Sequence, residues 1–261
     1  MAVFRRVAAL VGAAGVSLAA LSGAASAEDK LTWSATATGT SDYVFRGVSQ
    51  TDEEPTIQGS FGLGYGMFYA GAWASGLDFE AGLNDAQVEV DLYGGIKPTW
   101  GPLTFDFGFI YYAYPGENFI GFAGPDLDYL EFKAGVSGSP ITNLTLGATV
   151  FYSDDYFAET GQVWTVEGTA AYTLPAFGVF TPTISGLVGY QDSEDASYLG
   201  FNGFDQYYYW NAGLALTVEK LTFDFRYWDT GDASNAVSDT LTCINGYCDE
   251  RFVFSATIAL P

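Results

Sequence analysis

Eleven charged side chains fall on the polar side of an otherwise apolar alternation: Asp42, Arg46, Glu89, Asp91, Asp106, Glu131, Lys133, Glu167, Asp224, Arg226 and Arg251. Seven acids face four bases, and charges gathered on one face of extended segments can do either of two things. They can line a passage, where an acidic surplus gives a weak preference for cations. They can instead pair across strands and brace a narrow interior. Glu131 and Lys133 are next neighbours on one strand face, as are Asp224 and Arg226, so some pairing is expected.

Catalysis and metal binding find less support. The chain has no histidine, which removes Ser-His and Asp-His hydrolysis and the commonest transition-metal ligand. No carboxylate pair is singled out for acid–base work, so neither an enzyme nor a cofactor is expected. The acidic stretches Asp52-Glu53-Glu54, Asp154-Asp155 and Asp192-Ser193-Glu194-Asp195 offer oxygens to calcium but lack the spacing of a calcium loop. No metal site is assigned. Gly121, Gly124, Gly200 and Gly203 read as turn residues, since no helix follows to make a phosphate cradle.

The elements that must hold these charges follow from the period. Arg5 and Arg6, the apolar run Val7 to Leu21 and the small-x-small site Ala25-Ser26-Ala27 read as an export signal over 1–27, with the mature domain at 28–261. Without Arg5 and Arg6, seven basic residues oppose 31 acids, a formal charge of −24. That excludes nucleic acid as a partner, because phosphate binding needs a basic stripe. Cys243 and Cys248 follow the signal and lie close together, so a disulfide closing the loop between them is expected in an oxidising compartment.

After Glu28 the period is two. Ala86, Val88, Val90 and Leu92 alternate with Gln87, Glu89, Asp91 and Tyr93. Leu31, Trp33, Ala35, Ala37, Tyr43 and Phe45 share the apolar parity of the first segment. Twelve strands are predicted, at 31–46, 55–65, 67–76, 85–95, 103–113, 127–136, 143–152, 162–173, 179–190, 206–218, 221–229 and 250–260. Segments of about ten residues suit a tilted membrane-spanning strand. The third is apolar on both parities, and Pro182 should mark a defect in the ladder of the ninth. Connections alternate strictly between short turns and long acidic loops, as in bacterial outer-membrane barrels.

Alternation alone also fits a lipocalin-like barrel or a sandwich, with the apolar parity pointing inward. Charge placement favours the membrane. No charge sits mid-strand on the apolar parity; Lys30, Lys97 and Lys220 lie at the short-turn end. Trp33, Tyr65, Trp100, Tyr152, Trp164, Tyr172, Tyr190 and Tyr208 recur near strand ends, as interfacial girdles do. No apolar run after the signal approaches the roughly 18 residues of a membrane helix, and only a closed barrel otherwise satisfies its backbone in lipid. The expectation is an all-β, transmembrane, antiparallel up-and-down barrel in a Gram-negative outer membrane, with both termini periplasmic.

Thr32-Trp33-Ser34-Ala35-Thr36 and Thr40 through Gln50 (Thr-Ser-Asp-Tyr-Val-Phe-Arg-Gly-Val-Ser-Gln) resemble the opening of the TorF family. So do Pro55-Thr56-Ile57-Gln58-Gly59-Ser60-Phe61, Tyr69-Ala70-Gly71-Ala72-Trp73-Ala74-Ser75 and Glu89-Val90-Asp91-Leu92-Tyr93-Gly94-Gly95. The likeness covers residues 31–95 and is architectural beyond. It implies an outer-membrane protein assigned as a porin chiefly by inference, with no established substrate and no catalytic residues. Many outer-membrane barrels end in an aromatic residue that aids assembly; this chain ends Leu260-Pro261. The expected partners are membrane lipid and small hydrophilic solutes or ions, the oligomeric state being open. The competing reading is a structural or surface-interaction barrel with a closed lumen.

Overall fold

The computed structural model describes residues 30–79, 85–117, 124–193, 206–231 and 246–261. Twelve long strands form one sheet. They are β1 (Thr32–Thr40), β2 (Thr56–Tyr65), β3 (Phe68–Gly76), β4 (Val88–Ile96), β5 (Leu103–Ala113) and β6 (Tyr129–Ile141). β7 (Leu144–Ser153), β8 (Val163–Thr173), β9 (Thr181–Ser193), β10 (Gln206–Val218), β11 (Leu221–Gly231) and β12 (Arg251–Leu260) complete it. Each pairs antiparallel with its neighbours in chain order. β1 pairs with β12, Ala35 opposite Leu260 through Thr40 opposite Ser255, so the sheet closes into a barrel without a free edge.

The two parities of each strand see opposite environments. On β4, Leu92 is 50% exposed while Asp91 beside it is 0% exposed. A soluble barrel would reverse that order, so the apolar face is the outside and the polar face is the lumen. Phe61, Phe107, Phe132, Val166, Val188 and Phe254 continue the outer face. At the long-loop end Tyr152 packs against Trp164 with tilted rings, centroids 4.5 Å apart, and Tyr190 against Tyr208 at 5.0 Å. Trp33, Tyr65, Trp100 and Tyr172 lie exposed at the other end, so the expected aromatics divide into two girdles.

Two expectations change. The first strand stops at Thr40 rather than at 46, because Ser41 to Thr51 turns into the barrel and forms a hairpin, Val44–Phe45 against Val48–Ser49. Tyr43 and Phe45 therefore leave the lipid-facing parity and enter the interior. Pro182 breaks nothing. The β9–β10 register runs unbroken from Thr181 to Asp192, because the proline is the second residue of its strand, where an amide is least needed. The register shift lies instead between Leu144 and Leu146, opposite β6. The third strand, apolar on both parities, forms over Phe68–Gly76. The export signal and Cys243 lie outside the described residues; Cys248 is buried against Val44 and Val48.

Candidate functional site

The inward hairpin crosses the lumen at its long-loop end. Its turn is Arg46-Gly47, both left-handed, with φ of 48° and 86°, the signature of a two-residue hairpin turn matched to strand twist. Gly47 has a second reason to be glycine: a Cβ there would overlap Thr230 and Tyr209 on the wall. The hairpin is bonded to several sides of the barrel. Ser41 N donates to Phe254 O at 2.9 Å, Ser49 N to Tyr247 O at 2.9 Å, and Asp78 N to Gln50 O at 3.0 Å. The Tyr207 hydroxyl donates to Arg46 O at 3.1 Å.

One face of the hairpin packs Tyr43 and Phe45 against Tyr112, Tyr129 and Tyr156. The other packs Val44 and Val48 against Tyr207, Tyr209 and Trp228. The wall makes space for this filling. At Gly189 any side chain would collide with the Tyr209 ring. Together the hairpin and aromatics occupy the long-loop half of the lumen. Toward the short turns the lining changes to small hydroxyl residues that keep access to solvent, among them Ser34, Thr36, Ser60, Thr145, Thr169 and Thr183. The interior is a polar recess on the short-turn side, roofed by a packed outer half.

The eleven charged residues lie on the inner side of the barrel or on the inward hairpin, and each of the four bases is ion-paired, Arg251 to Glu53 at 3.6 Å as well as to Asp42. Arg46 grips Glu131 with both terminal nitrogens at 2.8 Å, at side-chain exposures of 3% and 0%. Its guanidinium also lies 4.8 Å from the Phe45 ring centroid and 5.0 Å from that of Phe151. The Tyr112 hydroxyl donates to the same Glu131 carboxylate at 2.9 Å. Lys133 bonds Asp106 at 2.9 Å, and Lys97 folds back from its turn to within 3.7 Å of it. The Tyr69 hydroxyl donates to Asp106 at 2.7 Å.

Arg226 binds Asp224 through Nε and Nη2, both at 3.0 Å. Arg251 reaches Asp42 at 3.2 Å, which also accepts from Ser49 at 2.7 Å and Thr51 at 2.9 Å. The expected neighbour pair Asp224 and Arg226 thus forms. Glu131 and Lys133 do not pair with each other; each is taken by a partner from earlier in the chain, Arg46 and Asp106. Bracing therefore accounts for four acids. Glu89, Asp91 and Glu167 have no basic partner among the described residues, and the hydroxyls of Tyr43 and Tyr209 donate to Glu89 and Glu167 at 2.9 and 2.7 Å.

The residues that the sequence left unmarked are the lumenal tyrosines; Arg46 was marked, but as part of a strand and not as the tip of a hairpin. Tyr207 and Tyr209 share the polar parity of β10 with Asn211, and that parity was the available signal. For Tyr43, parity pointed the wrong way.

Beyond the barrel wall, Glu117, Asp126 and Asp128 bring carboxylate oxygens within 4.8 Å of one another. Burial pushes the Glu117 carboxyl up to about 7, opposed by the Leu127 amide and reinforced by Asp126 and Asp128. A raised acid binds its proton better in the folded loop. Its contribution is therefore complete below about pH 4.5 and is lost as pH rises through about 7. Hydrogen exchange at the Tyr114 and Leu127 amides, corrected for intrinsic rates, should accelerate across that window. Glu117→Gln should flatten the dependence; an unchanged slope in that variant would assign it to other groups.

A family model described as "Bacterial protein of unknown function (Gcw_chp)" matches residues 24–258. No curated protein matches the chain. Among solved structures, the NanC porin is similar at 9% identity and a TM-score of 0.54, covering 88% of this chain and 100% of that one. LpxR from Salmonella typhimurium aligns at 9% identity and a TM-score of 0.43, over 88% of this chain and 99% of its own. The outer-membrane channel DcaP of Acinetobacter baumannii aligns at 8% identity and 0.41, over 88% and 97%. At such identities the NanC likeness establishes the fold, a porin-type barrel, and leaves cargo and activity to be argued from this chain's residues.

Proposed function

We propose that this chain, which belongs to the Gcw_chp family of bacterial proteins of unknown function, is an outer-membrane conduit for small hydrophilic solutes or ions. Its long-loop side is closed, in the conformation described, by the hairpin within 41–51. One observation carries the reading: a polar, solvent-reaching recess ends on a hairpin whose tip, Arg46, is ion-paired to the wall at Glu131 on β6. A barrel needed only as a scaffold has no use for a hydroxyl-lined recess. The likeness of residues 31–95 to the TorF family agrees with a channel.

The remaining assignments belong to the same proposal. Lys30, Lys97 and Lys220 sit at the short-turn end and the acidic connections at the other, so the termini face the periplasm and the acids face out. Membrane lipid is the partner of the apolar exterior. The same proposal includes the disulfide expected between Cys243 and Cys248, and transport as the activity in place of catalysis. Glu89, Asp91 and Glu167, the acids left without bases, give the opened passage a weak preference for cations.

Planar-bilayer recording tests this. Wild-type protein should be nearly silent, and the double variant Arg46→Ala/Glu131→Ala should open far more often, with a reversal potential on the cation side in a salt gradient. The second reading, a structural barrel permanently closed, is favoured by the two buried clusters that clasp the hairpin. It wins if the folded, inserted double variant stays silent across salts and voltages.

A further inference from the structure

Asp91 is the most anomalous side chain in the barrel. It is 0% exposed, and neither carboxylate oxygen has a hydrogen-bond partner. An isolated buried carboxylate is costly, and native structures compensate such groups with a partner, a water or an ion. Glu89, two residues earlier on the same lumen face, is 2% exposed and stands close enough for its charge to act directly on Asp91. The Tyr43 hydroxyl from the hairpin donates to Glu89 Oε1. Trp73 stands opposite Asp91 on β3 and Tyr112 opposite it on β5, and neither brings positive charge.

No base can move in. The lumenal bases among the described residues are each committed elsewhere: Arg46 to Glu131, Lys133 and Lys97 to Asp106, Arg226 to Asp224, and Arg251 to Asp42. Two carboxylates are thus packed together with no counter-charge. The donor set around them is oxygen only, carboxylate and phenol, which suits a hard cation and not a soft one.

We propose that Glu89 and Asp91 form a buried binding site for a hard divalent cation, with calcium as its probe, under the hairpin that closes the lumen. Asp91 offers both oxygens, and Glu89 a carboxylate already steadied by the hydroxyls of Tyr43 and Tyr114. The cation supplies the charge that the lumen lacks and thereby holds Glu89 in place as the acceptor for Tyr43, tying cation occupancy to the seating of the hairpin. The assignment does not depend on whether anything passes through the barrel.

Terbium can stand in for calcium on the folded full-length barrel in detergent, excited through Tyr43 and Trp73, which pack beside the site with ring centroids 5.2 Å apart. Wild type should give luminescence that calcium displaces. Asp91→Asn should weaken that competition by at least about tenfold, whereas Glu117→Gln, in the exposed acidic group outside the wall, should leave it in place. Folding of each variant is checked by its heat-modifiable mobility on gels, and Glu89→Gln substitutes if Asp91→Asn fails to fold. Luminescence equal in wild type and in both lumenal variants, or lost only in Glu117→Gln, overturns the site. So does a wild type whose thermal stability responds to pH but not to calcium, which would mean that the two carboxyls share a proton instead.

Discussion

Glu131→Ala should destabilise the folded barrel by about 3–5 kcal/mol, the cost of leaving one member of a buried ion pair without its partner. The abandoned group is Arg46, whose guanidinium is enclosed by Phe45, Phe151 and Tyr156 and would keep only neutral acceptors, the Tyr156 hydroxyl at 3.3 Å and Gln191 Oε1 at 3.4 Å. Tyr112 would lose its acceptor at the same time. An exposed ion pair of the same length would be worth no more than about 1 kcal/mol, so the size of the effect reports burial. Replacing both partners, as Arg46→Met/Glu131→Leu, removes the stranded charge and should recover most of the loss. Urea unfolding of barrels inserted in lipid vesicles measures all three proteins. A single-variant cost near that of a surface pair would mean that Arg46 is hydrated and that the hairpin is not clasped as described.

The same contact shows where sequence reasoning stopped. The strands were legible because burial is one-sided and strictly period two. Asp91 and Leu92 differ in exposure completely although they are adjacent, and no charge disturbs the lipid side. The hairpin was not legible, because Asp42, Tyr43, Phe45 and Arg46 continue the alternation of the strand before them. What diverts the chain is the pair of left-handed residues at Arg46 and Gly47, together with partners as distant as Glu131, 85 residues away. Local pattern carries no information about such a partner. The polar parity did identify the lumenal charges, and it could not say which would pair. That was settled by register and by the hairpin's depth, which took Arg46 to Glu131 and left Lys133 for Asp106. Only after the four pairings are known do Glu89 and Asp91 stand out as a surplus.

Val188→Arg and Thr169→Arg together separate the membrane barrel from every soluble alternative by sign. Val188 lies near the middle of β9 between Gly168 and Trp210, is 64% exposed, and faces outward. If the exterior meets lipid, an arginine there costs about 2–4 kcal/mol. Thr169, on the adjacent strand β8 opposite Leu187, is exposed toward the polar recess, where an arginine keeps its water and its cost should stay near about 0–1 kcal/mol. In a soluble barrel the order is inverted: position 188 would be an ordinary surface site, and position 169 would bury a charge in the core at a cost of several kcal/mol. Unfolding free energies in lipid vesicles decide between the two orders. In bilayers, Thr169→Arg combined with Arg46→Ala/Glu131→Ala should also move the reversal potential toward anions, since it places a positive charge on the recess through which the proposed passage runs. A smaller stability loss at 188 than at 169 would remove the membrane from the account, and the conduit with it.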